Sequence, residues 1–192
     1  STIGIYGPSS LYVEDRAWDA PPEDNTRFPG WAKRMGELQA EAYKLEFGWD
    51  KIAIVRPSNV YGPFDYFNPA SSMVVPSLIH RAVGGENPLV VWGDGTAIRD
   101  FVYSEDVADG MLLALEKSAD CVPINLGGGR GVTIKELVDG IMSFFPGLEV
   151  RWDPTKPRGA AASVLDISRA RQKLGYEPKV SLKEGIAQTI EW

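Results

Sequence analysis

The chain has 192 residues, of which 44% are hydrophobic and 24% charged, and its formal net charge is −6. This globular composition argues against disordered and fibrous proteins, and the acidic balance argues against a nucleic-acid partner. Cys121 is the only cysteine and His80 the only histidine, which excludes a disulfide framework and a metal site built from thiolates or several histidines. We expect a cytoplasmic protein without a membrane partner, because no apolar run approaches the roughly 20 residues of a membrane span.

Strand-like and helix-like segments alternate along the chain. A short strand is predicted to end at Tyr6, an amphipathic helix to cover residues 31–47, and a buried strand to cover residues 51–56. The later elements are a helix at 75–82, strands at 89–92 and 101–103, a helix from 104 to 115, a strand at 124–126, a helix from 133 to 145, and helices at 168–174 and 181–192. This alternation predicts an α/β fold.

Two segments near the beginning could carry chemistry. The sequence STIGIYG at 1–7 places Thr2 near the end of the first predicted strand, where open α/β sheets bind their ligands. Lys33 lies in the first turn of the predicted helix, where its charge opposes the helix dipole. The alternative for Lys33 is a solvated side chain paired with Glu37 one turn later.

Two further segments combine polar side chains with strand ends. The sequence RPSNVYGP at 56–63 follows the buried strand, and RDFVY at 99–103 contains an arginine between two strand-like runs. Arg99 could bind a phosphate with its forked guanidinium. The alternative is a surface ion pair between Arg99 and either Asp100 or Asp106.

In order and spacing, these four segments resemble the extended short-chain dehydrogenases/reductases of the NAD-dependent epimerase/dehydratase family, which act on nucleotide sugars. The resemblance extends from Thr2 to Trp192, and the segment at 156–165 is similar to the fucose-synthase branch. It implies an α/β fold with a partial Rossmann sheet. Residues 1–63 would form the C-terminal half of the cofactor-binding domain, and residues 64–192 mainly a substrate-binding lobe from which some segments return to the Rossmann sheet.

The resemblance also implies a role for each matched position. Thr2 matches the catalytic Ser or Thr that hydrogen-bonds the reacting oxygen of the sugar. Lys33 matches the lysine that binds the nicotinamide ribose of NAD or NADP and lowers the pKa of a catalytic tyrosine. The remaining matches are ligand contacts: Pro57 and Ser58 beside the nicotinamide, Asn59 at the sugar or its diphosphate, and Arg99 and Arg158 at the diphosphate.

The sequence departs from the family at the catalytic tyrosine. That tyrosine should stand four residues before Lys33, but Pro29 occupies the position. Proline suits the first turn of a helix and cannot transfer a proton. Tyr6 and Tyr61 are conceivable substitutes, although their spacing gives them no support.

The glycine-rich dinucleotide fingerprint of the family has no match here. The sequence GGGRG at 127–131 does not fit it, because Val132 occupies the position of the last glycine and the segment lies far downstream. We interpret this segment as a strand-to-helix turn. The first Rossmann half is therefore missing from this sequence, and we expect a partner chain, another copy or a rearrangement to cover the apolar edge of the sheet. A split gene product, a truncated chain and a degenerate remnant are the alternatives.

The expected function is NAD(P)-dependent epimerisation, dehydration or reduction of a nucleotide sugar, with little or no activity of this chain alone. The second hypothesis is a non-catalytic module that binds nucleotide sugars through Asn59, Arg99 and Arg158. A scaffold that binds neither cofactor nor nucleotide sugar is the third.

Overall fold

The computed structural model describes residues 1–68, 70–156 and 159–192. The α-helices of this part are α1 (Arg27–Phe47), α2 (Val74–Val83), α3 (Ser104–Lys117), α4 (Ile134–Met142), α5 (Ser168–Leu174) and α6 (Leu182–Glu191). The strands are β1 (Leu11–Tyr12), β2 (Ile54–Pro57), β3 (Asn59–Tyr61), β4 (Leu89–Trp92), β5 (Ile98–Arg99), β6 (Phe101–Tyr103), β7 (Pro123–Leu126), β8 (Val132–Thr133), β9 (Val150–Asp153) and β10 (Ala162–Leu165). Short 3-10 helices lie at Ile3–Ile5, Glu14–Arg16 and Asp24–Thr26. The predicted α/β class is confirmed.

The strand pairs are almost all parallel. β2 pairs with β7, β3 with β6, and β4 with β9. A four-stranded sheet has the order β1-β10-β5-β8, in which the β5–β8 pair is antiparallel. Because β7 pairs with β2, residues 123–126 belong to the same sheet as β2, which lies within the first 63 residues.

Local signals set the ends of several helices. Thr133 and Ser181 each accept the N–H of the glutamate three residues later, and each glutamate side chain accepts the backbone N–H of the capping residue, which forms two capping boxes. Gly48 ends α1 in the left-handed conformation, with a φ of 64°. The predicted strand before Tyr6 is wrong, because residues 3–5 form a 3-10 helix instead.

Two clusters of buried apolar side chains form the core, and β6 contributes to both. Val102 packs in the first cluster, around β2, β7 and α5, whereas Phe101 and Tyr103 pack in the second, around α2, β4 and α4. Successive side chains of a strand point to opposite faces. The segment around β6 therefore lies between the two halves of the core.

The helix predicted over 31–47 exists as α1 and begins four residues earlier, at Arg27, but its apolar stripe faces outward. Met35, Leu38 and Leu45, whose spacing predicts the helix, are all exposed. Helix α3 likewise exposes Met111 and Leu115. Within the described residues, no helix combines the length and hydrophobicity needed to cross a membrane.

Candidate active site at the carboxyl edge of the sheet

The carboxyl ends of β2 and β7 meet at one edge of the parallel sheet. Ser58 follows β2 directly, and its N–H donates to the oxygen of Leu126, the last residue of β7, at 2.9 Å. Ligands of open α/β sheets bind outside this edge. The structure thus places Pro57 and Ser58 at this edge.

The side chains of Ser58 and Asn59 converge on a single acceptor, the main-chain oxygen of Asp100. The Ser58 hydroxyl donates to this oxygen at 2.7 Å, and the Asn59 amide at 2.8 Å. The Asp100 carboxylate accepts the N–H groups of Gly128 at 2.7 Å and Leu165 at 3.2 Å. Burial is the main cause that raises the pKa of Asp100 to about 6, partly offset by these donors.

Asp100 also explains the glycine-rich turn at 127–131. A Cβ added to Gly127 would lie 2.3 Å from an oxygen of the Asp100 carboxylate, and one added to Gly128 would lie 2.1 Å from the oxygen of Phe101. Glycine is required because these groups approach the backbone so closely. The turn joins β7 to β8 and α4, which confirms the interpretation of this segment as a structural turn.

Arg99 lies on β5 and is half-buried. Its Nη1 donates to the oxygens of Ile98 and Ala160, at 2.7 and 2.8 Å. Burial lowers the pKa of its guanidinium. The alternative of a surface ion pair is wrong for both predicted partners, because Asp100 and Asp106 are buried and accept backbone N–H groups. Arg158 lies outside the described residues.

Asn59 and Arg99 line a groove of about 620 Å³ between α2 and β4. Arg81 on α2 also lines it, donating to Glu86 at 2.7 Å and to the oxygen of Val90 at 2.7 Å. This guanidinium lowers the pKa of Glu86 to about 2. Trp92, which is exposed, adds an aromatic surface. Arg81 lies in a segment with the pattern of an ordinary helix, so the sequence gives no sign of its place in the groove, and Trp92 stands in a motif, WGDG, that by itself indicates no role for the indole ring.

Thr2 and Lys33 lie on two elements that pack closely together. Thr2 caps the 3-10 helix at Ile3–Ile5, and its hydroxyl accepts the N–H of Gly4 at 3.4 Å. A Cβ on Gly30 would lie 2.4 Å from the oxygen of Gly4, so the first turn of α1 lies against the Thr2 segment. Lys33 is exposed and forms no hydrogen bond or ion pair with another described residue. It is available to an anionic or hydroxyl-bearing ligand.

The alternative partner of Lys33 is engaged elsewhere. Glu37 accepts two hydrogen bonds from Arg56, at 2.9 Å to Nε and 2.7 Å to Nη2, and both side chains are buried. The predicted Lys33–Glu37 pair is therefore wrong. Although burial opposes its ionisation, the contact with Arg56 keeps the pKa of Glu37 below its usual value.

Arg34 fixes the position of α1 against the Thr2 segment. Its buried guanidinium donates to the oxygen of Ile5 at 2.9 Å, to that of Ala20 at 2.6 Å, and also to that of Ala17. The indole rings of Trp18 and Trp31 lie 4.9 and 5.0 Å from it. The one sign of this role in the sequence is the place of Arg34 directly after Lys33.

Pro29 is the third residue of α1, within the first turn where proline is tolerated. The two conceivable substitutes for the missing tyrosine have structural roles. Tyr6 is buried, donates to Asn125 at 2.6 Å, and has its pKa raised to about 12, chiefly by burial. Burial likewise raises the pKa of Tyr61, which packs against Tyr103 in the second core cluster. Neither is suited to transfer a proton near neutral pH.

Comparison with known proteins identifies the family. Residues 1–127 match the model of the NAD dependent epimerase/dehydratase family. The chain belongs to this family. It is 38% identical over 167 residues to GDP-L-fucose synthase 1 of Arabidopsis thaliana, which covers 84% of this chain and 51% of the relative. It is 34% identical over 162 residues to dTDP-4-dehydro-6-deoxy-D-allose reductase of Streptomyces bikiniensis, covering 84% and 48%.

Solved structures of the epimerase/dehydratase family have the same fold. UDP-glucose 4-epimerase from Thermotoga maritima, in complex with UDP-glucose, superimposes with a TM-score of 0.82 and 33% identity, over 100% of this chain and 60% of that one. A GDP-L-fucose synthetase from Naegleria fowleri bound to NADP reaches 0.90 at 22% identity, over 100% and 63%. The chain spans about half the length of the curated relatives it matches.

The described residues fit the nicotinamide end of a dinucleotide better than its phosphates. Lys33 is exposed and unpaired among them, and Pro57 and Ser58 lie at the carboxyl edge. The turn at 127–131 cannot cradle a pyrophosphate, because Asp100 and Phe101 occupy the space beside Gly127 and Gly128. No group of three or more metal-ligating side chains is found among the described residues.

Proposed function

We propose that this chain forms the substrate-binding part, and the nicotinamide end of the cofactor site, of an enzyme that transforms a nucleotide sugar with NAD or NADP. The observation that carries this proposal is the groove of about 620 Å³ shared by Asn59 and Arg99, which begins beside Ser58 at the carboxyl edge. Family membership and this groove together favour epimerisation, dehydration or reduction at a sugar carbon.

The groove suits a nucleoside diphosphate. Arg99, with Arg158 as the second candidate, would bind the diphosphate, because guanidinium groups make forked hydrogen bonds to phosphate oxygens. Trp92 offers a face on which a base can stack, and Arg81 brings a second guanidinium to the same groove. GDP, dTDP and UDP sugars are the candidate substrates, since relatives of this chain act on or bind such compounds.

Thr2 and Lys33 would act on the sugar and the cofactor. Bound NAD or NADP supplies a hydride acceptor or donor at the sugar carbon. The Thr2 hydroxyl would hydrogen-bond the reacting oxygen, and the Lys33 ammonium would bind the nicotinamide ribose. Pro29 holds no proton, so a catalytic acid or base must come from another group, and we expect weak turnover from this chain.

A further part of the protein, or a partner, would complete the cofactor site. Within the described residues, β2 has a strand neighbour on one edge only, and α1 and α3 both present exposed apolar side chains. Such an edge favours the addition of another strand. We propose that a glycine-rich strand–turn–helix unit, supplied by a further part of the protein or by a partner chain, covers this surface.

The second candidate function is a non-catalytic module that binds nucleotide sugars. Pro29 favours it, because the family tyrosine is replaced while the residues that line the groove are retained. In this alternative Asn59, Arg99 and Arg158 keep their role as ligand contacts, whereas Thr2 and Lys33 have no reaction to serve.

Calorimetry with each ligand separately tests these proposals. The chain is titrated with GDP-, dTDP- and UDP-sugars, and independently with NAD and NADP. Binding of a nucleotide sugar supports the groove as the substrate site. If Arg99 contacts the ligand, Arg99→Ala should weaken the binding free energy by about 1.5–3 kcal/mol. Tight NAD binding by this chain alone would contradict the assignment of the pyrophosphate site to another segment. The chain is then assayed together with the glycine-rich unit. Turnover in this assay supports the enzyme, and binding without turnover supports the non-catalytic module.

A further inference from the structure

Asp100 occupies a position between the two parts of the proposed site. It lies between β5, which carries Arg99, and β6, which lies between the two core clusters, and it is fully buried. From the sequence, Asp100 is a candidate only for a surface ion pair with Arg99. Its contacts instead join the ends of β2 and β7 to β10.

The main chain of Asp100 orients two predicted ligand contacts. Its oxygen accepts the Ser58 hydroxyl at 2.7 Å, the Asn59 side-chain amide at 2.8 Å and the Asn59 N–H at 3.2 Å. A shift of this oxygen would therefore change the directions of both side chains. Ser58 is the residue assigned to the nicotinamide, and Asn59 the residue assigned to the sugar or its diphosphate.

The carboxylate of Asp100 holds that oxygen in place. One carboxylate oxygen accepts Gly128 N–H at 2.7 Å and the other accepts Leu165 N–H at 3.2 Å, while the Asp100 N–H donates to Ser163 at 3.1 Å. Hydrogen bonds to a charged acceptor are stronger than neutral ones. The absence of a Cβ at Gly127 and Gly128 allows this approach.

We propose that Asp100 is a positioning residue that sets the cofactor-side contact Ser58 and the substrate-side contact Asn59 from one buried carboxylate. The proposal rests on the proposed function for the identity of the two ligands. Asp100 touches neither ligand itself, and it acts through the oxygen and the backbone that it holds.

Asp106 provides a matched control for this role. It is also a buried aspartate whose carboxylate accepts two backbone N–H groups, from Lys179 at 2.9 Å and Val180 at 3.1 Å. Asp100→Asn and Asp106→Asn each replace one acceptor oxygen with an NH2 group. This donor then faces a backbone N–H that the carboxylate oxygen had accepted. Both variants lose stability for the same reason, but only Asp100→Asn should disturb Ser58 and Asn59.

The first measurement is amide hydrogen exchange of the free chain, followed residue by residue by NMR. In Asp100→Asn we expect protection of Gly128, Leu165 and Asn59 to fall at least tenfold. The Asn59 amide is the decisive probe, because its acceptor is a main-chain oxygen that the substitution retains. In Asp106→Asn, protection of Asn59 should change less than twofold. Asn59 protection that is equal in the two variants would overturn the proposal.

The unmodified chain gives a second test that does not depend on the variants folding. If Asp100 joins these segments, the amides of Asn59, Gly128 and Leu165 should open together, with protection factors within about threefold and the same dependence on denaturant. Unrelated rates and dependences at the three sites would contradict the proposed coupling.

Ligand binding then separates this proposal from the proposed function. GDP, dTDP and UDP serve as probes in calorimetry, and Asp100→Asn should weaken the tightest of them at least tenfold, against less than twofold for Asp106→Asn. Equal affinities in the two variants would remove the link between Asp100 and the ligand contacts. If none of the probes binds the unmodified chain, the proposed function fails, while the exchange of Asn59 still decides whether Asp100 positions that segment.

Discussion

Helices α1 and α4 bury opposite kinds of residue. The buried side chains of α4 are apolar, namely Leu137, Val138 and Ile141. In α1 the buried residues are Gly30, Arg34 and Glu37, while its large apolar residues are exposed. The position of α4 is thus set by apolar burial, whereas that of α1 is set by the hydrogen bonds of two buried charged side chains, with Arg34 as donor and Glu37 as acceptor. The apolar surface of α1 remains available for a further contact.

The largest expected effect tests the charged contact of α1. Glu37→Gln leaves the buried Arg56 guanidinium without its carboxylate, which should lower the free energy of unfolding by about 3–5 kcal/mol. Chemical denaturation of the variant measures this loss. Asp139→Asn, which removes the exposed pair with Lys135, is the control and should cost less than about 0.5 kcal/mol. Equal losses would mean that the buried pair does not hold α1.

A matched pair of leucines tests the apolar side of the comparison. Leu137→Ala on α4 empties a fully buried position and should cost about 2–5 kcal/mol. Leu45→Ala on α1, where the side chain is 77% exposed, should change stability by less than about 0.5 kcal/mol. Denaturation of both variants under one condition checks the difference. A large loss at Leu45 would show that the outer face of α1 is covered in solution.

The features predicted from sequence are those with local causes. The capping boxes at Thr133 and Ser181 and the stop at Gly48 depend on residues within one turn, so the sequence displays them directly. The existence of α1 was predicted from its apolar spacing, but the buried face was not. Which face of α1 is buried depends on Arg34 and Arg56, whose partners lie far away in sequence.

The candidate site divides in the same way. Ser58, Asn59 and Arg99 are candidates that the sequence itself offers, because they lie in the motifs RPSNVYGP and RDFVY. The role of Asp100 could not, because its carboxylate partners lie 28 and 65 residues away, on other elements. An acidic residue directly before the apolar run FVY is the one local sign that Asp100 is buried.

The burial of Asp100 predicts that the stability of the folded chain depends on pH. Its pKa of about 6 in the folded chain exceeds the ordinary value of 3.8, so the folded state binds the proton more tightly than the unfolded state does. Stability therefore falls as the pH rises from about 4 to above 6, and the contribution of Asp100 should decrease by about 1 kcal/mol between pH 5 and pH 7.

Denaturation at the two pH values measures this decrease, with Asp100→Asn as the reference, because asparagine does not titrate. The unmodified chain should lose about 1 kcal/mol more than the variant between pH 5 and pH 7. His80, the only histidine, is common to both proteins and cancels in the difference. The same pH dependence in both proteins would show that Asp100 keeps an ordinary pKa.

The smallest effect on stability is expected on the outer face of α1, where the comparison predicts a change in association instead. Met35→Ser should alter the free energy of unfolding by less than about 0.5 kcal/mol, because the side chain is exposed. If α1 covers a partner or another copy, the same substitution should weaken association, which sedimentation velocity over a range of concentrations detects. Lys135→Ser, on the exposed face of α4, is the control that should leave association unchanged. Met35→Ser removes an apolar side chain, whereas Lys135→Ser removes only a solvated charge. If the two variants sediment alike at every concentration, the apolar face of α1 has no partner in solution.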